Sequence, residues 1–75
     1  MENLKEKIIF HVFEFLETGE IKHSQLAKGY LQMFAKKYHV KIKSQKIINI
    51  KDAFKAFIIN EKGYVETINK LFNSL

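Results

Sequence analysis

The chain has 75 residues, of which 47% are hydrophobic, and it carries a formal net charge of +5. This length and composition predict one folded domain over residues 1–75, with a small core worth roughly 3 to 5 kcal/mol. The absence of cysteine excludes disulfides and thiolate metal sites, and the longest apolar stretch, residues 8–16, is too short to cross a bilayer. We therefore expect a cytoplasmic protein that does not span a membrane.

The first predicted helix follows Asn3, which can cap it, with Glu6 in the capping-box position, and it stops at Thr18-Gly19. Its apolar positions cover more than one stripe of the helix surface, so we expect a central helix or one that also serves a subunit contact. Phe10 and Phe15 lie on opposite flanks of that stripe. They are the candidates for an oligomer interface, which implies a homodimer, and the other phenylalanines are assigned to the core.

A second helix is predicted from a Ser24 cap to about Tyr38, after a short connection over residues 20–23. Its apolar residues follow helical spacing, and most of its lysines lie away from them. Gly29 inside this helix is either a weak point costing roughly 1 kcal/mol against alanine or a place where another helix approaches closely.

Residues 40–50 are ambiguous in the sequence. Alternation of Val40 and Ile42 with lysines indicates a strand, and a hairpin turning at residues 44–45 is one alternative. We favour an extended segment over residues 40–43 followed by a helix capped by Ser44 and reaching Asn60. A later helix start, with Asn49 as the cap, fits almost as well.

Lys62-Gly63 is predicted to break the chain before a last amphipathic helix from about Tyr64. The elements together predict an all-α domain, compact and built of four helices, with a short strand or ribbon at about residues 40–50 as the one uncertain part.

The positive charge is concentrated in the middle of the chain. Residues 22–55 hold nine lysines against Asp52 alone, and all thirteen basic residues of the chain are lysine. Lysine acts as a point charge suited to phosphate, whereas arginine is the usual reader of guanine edges. The densest part predicts a nucleic-acid-binding face that makes salt-sensitive, weakly sequence-specific contacts. Its residues are Lys36, Lys37, Lys41, Lys43, Gln45 and Lys46.

Three other interpretations of this face stay open, and the third-ranked of all is contact with an anionic membrane surface. The lysines can be a solvated surface that keeps a protein of low stability in solution. The chain can also be a protein-binding module, such as an inhibitor, an antitoxin-like or an immunity-like protein, that docks on a larger partner.

Catalytic and metal sites have little support. No nucleophile elbow, phosphate-cradling loop or paired-carboxylate motif occurs, so we expect no enzyme activity and no cofactor. His11 and Glu14 have a spacing that suits two metal ligands, but no third ligand follows at a recognisable interval, so we expect no metal. His11 is instead expected as a hydrogen-bonded, neutral residue at the margin of the core, with His23 and His39 on the surface.

Overall fold

A computed structural model of the chain describes residues 3–60 and 63–75. They form four α-helices: α1 (Leu4–Thr18), α2 (Ile21–Lys37), α3 (Ile50–Ile59) and α4 (Val65–Ser74). No strand occurs in these two ranges, so the all-α, four-helix prediction is confirmed and residues 40–49 are neither a strand nor a ribbon.

Helices α1 and α2 form a hairpin, as their two-residue connection requires, and make the most extensive contact in the fold. Asn3 caps α1 through its side-chain oxygen, which accepts a hydrogen bond from the Lys5 backbone N–H at 2.9 Å. Gly19 ends α1 in the left-handed conformation, with φ 72°, and its N–H donates to the Phe15 carbonyl. Both ends of α1 are where the sequence predicts them, since a cap depends on residues close by in the chain.

The four helices enclose one hydrophobic core. Every helix contributes at least two fully or almost fully buried side chains, and α3 and α4 pack against each other and against the α1–α2 hairpin. The core consists of Ile8, Val12, Ala27, Leu31, Phe34, Ala35, Ala53, Phe54, Phe57, Ile68 and Leu71.

The predicted start of α2 is wrong. The helix begins at Ile21, three residues before Ser24, and its N-cap Glu20 makes no side-chain capping bond. Ser24 is buried, and its hydroxyl donates to the Leu75 carbonyl at 2.9 Å. The Ser24 hydroxyl, which the local sequence predicts to cap a helix, therefore makes a long-range hydrogen bond instead.

Of the two explanations for Gly29, the structure rules out a close approach. The residue is exposed, and a Cβ placed on it would meet no heavy atom within 4 Å. Gly29 is therefore a local weakness of α2 rather than a packing requirement.

The later of the two predicted starts for α3 is correct, and the Ser44 cap is wrong. Asn49 caps the helix by accepting hydrogen bonds from the backbone N–H groups of Lys51 and Asp52. Helix α4 begins at Val65, after Gly63 with a φ of 122°, close to the predicted start. Lys62, the other half of the predicted break, lies outside the described residues. In the described ranges no helix has the length and apolar character needed to traverse a bilayer.

Candidate nucleic-acid interface

The stretch from Lys36 to Lys46, called here the lysine segment, starts where α2 ends in a Schellman motif. The Val40 N–H donates to the Ala35 carbonyl at 2.8 Å, and the His39 N–H donates to the Lys36 carbonyl at 3.2 Å. His39 takes the left-handed position, with φ 56°, that glycine usually fills. This turn ends the helix and leads the chain into an extended course.

Two asparagines of α4 hold the extended part in place. The Asn69 side-chain oxygen accepts from the Lys43 N–H at 2.6 Å, and its amide nitrogen donates to the Lys41 carbonyl at 3.4 Å. One helical turn later, the Asn73 oxygen accepts from the Gln45 N–H at 3.3 Å, and its nitrogen donates to the Lys43 carbonyl at 2.8 Å. Each carboxamide thus bonds to a carbonyl and to the N–H two residues further along.

This match has a geometric cause. Two asparagines four residues apart on a helix are separated by about 6 Å along its axis, and two residues of extended chain span about 6.6 Å. The two asparagine side chains therefore bond to successive two-residue repeats of the extended backbone. They make the hydrogen bonds that a neighbouring strand would make in a sheet. We call this arrangement the asparagine clamp, formed by Asn69 and Asn73.

The clamp fixes which side chains face solvent. Val40 and Ile42 are partly buried and pack against the core, whereas Lys41, Lys43 and Gln45, at a spacing of two, are exposed. In an extended chain, residues two apart project to the same side. Two lysines and a glutamine are therefore presented from a backbone that is bonded to the body of the protein.

The other predicted binding residues are exposed too. Lys36 and Lys37 lie in the last turn of α2, where cations complement the negative end of the helix dipole, and Lys46 follows the clamp. The segment contains no acidic residue. The six predicted residues are thus all exposed, and five of them are lysines on one stretch of chain.

A cleft of about 330 Å³ lies where the lysine segment meets the start of α1. We call it the tyrosine cleft, because two of its walls are tyrosine rings. Among the described residues that line it none is acidic. They are Asn3, Leu4, Lys5, Phe34, Lys37, Tyr38 and Tyr64.

The predicted interface residues Phe10 and Phe15 are not brought together. Phe10 is 54% exposed, whereas Phe15 is partly buried. Phe13, assigned from the sequence to the core, is 53% exposed and lies one turn from Phe10 on the same side of α1. Phe13 also lines a groove between α1 and α3, of about 520 Å³, with Ile58 and Ile59.

His11 and His23 form a pair across the α1–α2 hairpin, with their Nδ1 atoms 3.1 Å apart. The His11 ring also stacks on Tyr30, with centroids 5.6 Å apart. Burial, and next the nearby His23, lower the pKa of His11, although the Glu14 carboxylate acts in the opposite direction. His11 is thus at the core margin as predicted, but the surface assignment of His23 is wrong, since it is partly buried.

Metal binding at His11 and Glu14 gains no third ligand from the fold. Within residues 3–60 and 63–75, no three histidine, cysteine, aspartate or glutamate side chains are grouped so that they could hold a metal ion. The His11 and His23 rings instead stack on each other, and the His11 ring also contacts the Phe10 ring edge-on.

Three features were not predicted from the sequence: the asparagine clamp, the exposure of Phe13 and the tyrosine cleft. One signal for the clamp is present in the sequence, since two asparagines lie four residues apart, on one face of the predicted last helix. Nothing local indicates their partners, which are 28 to 30 positions away for the carbonyl contacts.

The chain has no significant match among protein-family models, curated proteins or solved structures.

Proposed function

We propose that the protein is a non-enzymatic accessory or regulatory protein that binds nucleic acid through its lysine segment. The asparagine clamp is the observation that carries this proposal. It holds Lys41, Lys43 and Gln45 outward on a fixed backbone, so their contacts with a phosphate chain require little further ordering of the main chain.

The charge distribution supports phosphate as the ligand. Affinity for a nucleic-acid backbone comes from several cations that neutralise successive phosphates and release counterions. The lysine segment offers five such cations, and a polar side chain at Gln45 can bond to sugar or base edges. Contacts of this kind depend little on base sequence, so the proposed role is one of general affinity.

A mobility-shift titration with duplex and single-stranded oligonucleotides tests the proposal. We expect binding to be lost in the double variant Lys36→Glu plus Lys41→Glu. Lys22→Glu plus Lys51→Glu is the matched control. It changes net charge equally at two exposed positions in the first turns of α2 and α3. Because Lys22 pairs with Glu20 at 3.2 Å and Lys51 lines the groove between α1 and α3, circular dichroism and sedimentation check that the fold and the mass are unchanged. Equal loss in both variants would contradict a specific role for the lysine segment.

We further propose that a second copy of the chain covers the exposed apolar face formed by Phe10, Phe13, Ile58 and Ile59. A two-fold interface must be complementary to itself. The groove meets this condition, because its lining includes Glu17 from α1 and both Lys51 and Lys55 from α3 beside apolar side chains. In a symmetric pair, each carboxylate can meet the other copy's ammonium group around an apolar centre.

A protein-binding module, of an inhibitor, antitoxin-like or immunity-like kind, is the second candidate function. The same groove favours it, since an amphipathic helix of a partner would fit an apolar groove between two helices. The two candidates differ in a simple observation. A module whose groove serves a different protein is monomeric alone and has no affinity for oligonucleotides at low salt.

A further inference from the structure

The tyrosine cleft contains an aromatic ring that is both held in place and accessible. The Tyr38 ring centroid lies 4.8 Å from that of Phe34 and 4.8 Å from that of Tyr64. Phe34 is itself a core residue, and 45% of Tyr38 remains exposed. A ring held against two others loses little rotational freedom when a flat ligand stacks on its exposed part, so it is suited to stacking.

Two ammonium groups lie over these rings, that of Lys5 over Tyr64 and that of Lys37 over Tyr38. The Lys5 Nζ donates to the Ile58 carbonyl at 3.3 Å and lies 5.7 Å from the centroids of both Phe57 and Tyr64. The Lys37 Nζ lies 5.7 Å from the Tyr38 ring centroid. Each ammonium has three N–H donors, so a further donor on each is available to an anion in the cleft.

From this geometry we infer that the tyrosine cleft binds an unstacked nucleobase, stacked on Tyr38, with its phosphate held by Lys5 and Lys37. The inference rests on the proposed nucleic-acid binding and adds to it a preference for single strands. Bases inside a duplex are paired and stacked on one another, so only a single strand presents a free base face to an aromatic ring.

The position of the cleft extends the phosphate path. Lys37 and Tyr38 belong to the lysine segment, so a strand with one base in the cleft continues directly beside that segment. The phosphates of one strand can then contact both the tyrosine cleft and the lysine segment. A single strand therefore gains stacking at Tyr38 in addition to the backbone contacts that a duplex can make.

Tyrosine fluorescence provides a direct measurement, because the chain has no tryptophan and three tyrosines, of which Tyr38 and Tyr64 line the cleft. We expect an oligothymidylate of about 12 nucleotides to quench this fluorescence and a duplex of equal length to quench it much less. Tyr30→Phe, which removes the tyrosine beside His11, is the control and should leave the quenching by single strands in place.

Variants at Tyr38 separate stacking from charge. Tyr38→Leu should weaken single-strand binding by about 5- to 100-fold and leave duplex binding unchanged, whereas Tyr38→Phe should retain single-strand binding. Leucine keeps an apolar contact with Phe34, and circular dichroism checks that the variant is folded. If Tyr38→Leu does not fold, the difference in quenching of the parent protein between single strand and duplex tests the stacking by itself.

The outcomes distinguish this inference from the proposed function. Equal affinity for duplex and single strand, with no quenching, overturns the cleft and leaves the lysine segment as the binding surface. Absence of binding to either nucleic acid overturns both. Saturation by thymidine monophosphate at the same concentration as the oligomer supports the cleft but contradicts the continuation of the strand along the lysine segment, since the neighbouring nucleotides would then contribute nothing.

Discussion

The side-chain oxygen of Asn69 accepts a hydrogen bond from the Lys43 backbone N–H at 2.6 Å, across 26 positions of sequence. Asn69 is buried and also donates to the Val65 carbonyl within its own helix. Asn73, one turn further along α4, donates a hydrogen bond to the Lys43 carbonyl and is less buried than Asn69. The position of the lysine segment therefore depends on a side chain from α4, and this dependence can be measured.

Replacing Asn69 tests the clamp. We expect Asn69→Ala to lower the free energy of unfolding by about 1 to 3 kcal/mol, because it removes the partner of a backbone N–H in a partly buried place. Asn73→Ala should cost less, since water can reach its partners. Urea unfolding measures both values, and hydrogen exchange at the Lys43 amide should become faster in Asn69→Ala. An unchanged Lys43 exchange rate would show that the clamp does not hold the segment.

The two glycines of the α1–α2 hairpin should respond in opposite directions to alanine. Gly29 is helical and unobstructed, so Gly29→Ala should raise the free energy of unfolding by about 1 kcal/mol, or Tm by roughly 4 to 8 °C. Gly19 has a φ of 72°, so Gly19→Ala should lower it by about 1 kcal/mol. Thermal unfolding checks both, and a loss of stability in Gly29→Ala would mean that something packs on that face of α2.

The histidine pair should make the protein less stable in mild acid. The pKa of His11 is lowered by burial, by His23 and by Lys7, against the pull of Glu14. The unfolded chain therefore takes up a proton at His11 more readily than the folded chain, and stability falls as the pH drops below about 6.5. The fall continues until the pH is below the lowered pKa of the folded state.

Urea unfolding between about pH 7.5 and 5.5 measures this effect. The parent should lose more stability over that interval than His11→Gln does. His39→Asn controls for the loss of one imidazole, because His39 is exposed and asparagine tolerates its left-handed backbone. Identical pH dependence in the parent and in His11→Gln would contradict the assignment.

Self-association through the exposed apolar face should appear in sedimentation equilibrium. We expect a mass approaching twice the 8.9 kDa of the chain as concentration rises, and a monomer for Phe13→Glu. Met33→Glu is the matched control, because it places the same charge at an equally exposed apolar position on α2, outside that face. A monomer at every concentration of the parent protein would argue instead that the groove serves a different partner.

The caps that depend on neighbouring residues could be predicted from the sequence, and the contacts between distant ones could not. Asn3, Gly19 and Asn49 act on groups two to four positions away, so local sequence is sufficient for them. Ser24 has the same local pattern, yet its hydroxyl bonds to Leu75, 51 positions later. A cap cannot be told from a buried contact until the tertiary partner is known.

The same limit applies to the candidate sites. The exposure of the lysines follows from their charge, whereas the fixed extended course of residues 41–45 comes from α4. On α1, periodicity identifies a wide apolar surface but not which flank the neighbouring helices cover. Packing leaves Phe15 partly buried and Phe13 exposed, the reverse of the sequence expectation.

The salt dependence of nucleic-acid binding tests the central claim most directly. With five lysines engaged, the slope of log affinity against log salt should be about −4 to −5 on duplex DNA and about −3.5 on a single strand. Lys36→Ala plus Lys41→Ala should make the duplex slope shallower by about 2, one unit for each lost phosphate contact. Fluorescence anisotropy between about 50 and 200 mM salt provides the measurement. An unchanged slope in the double variant, or no binding by the parent at the lowest salt, would contradict the claim.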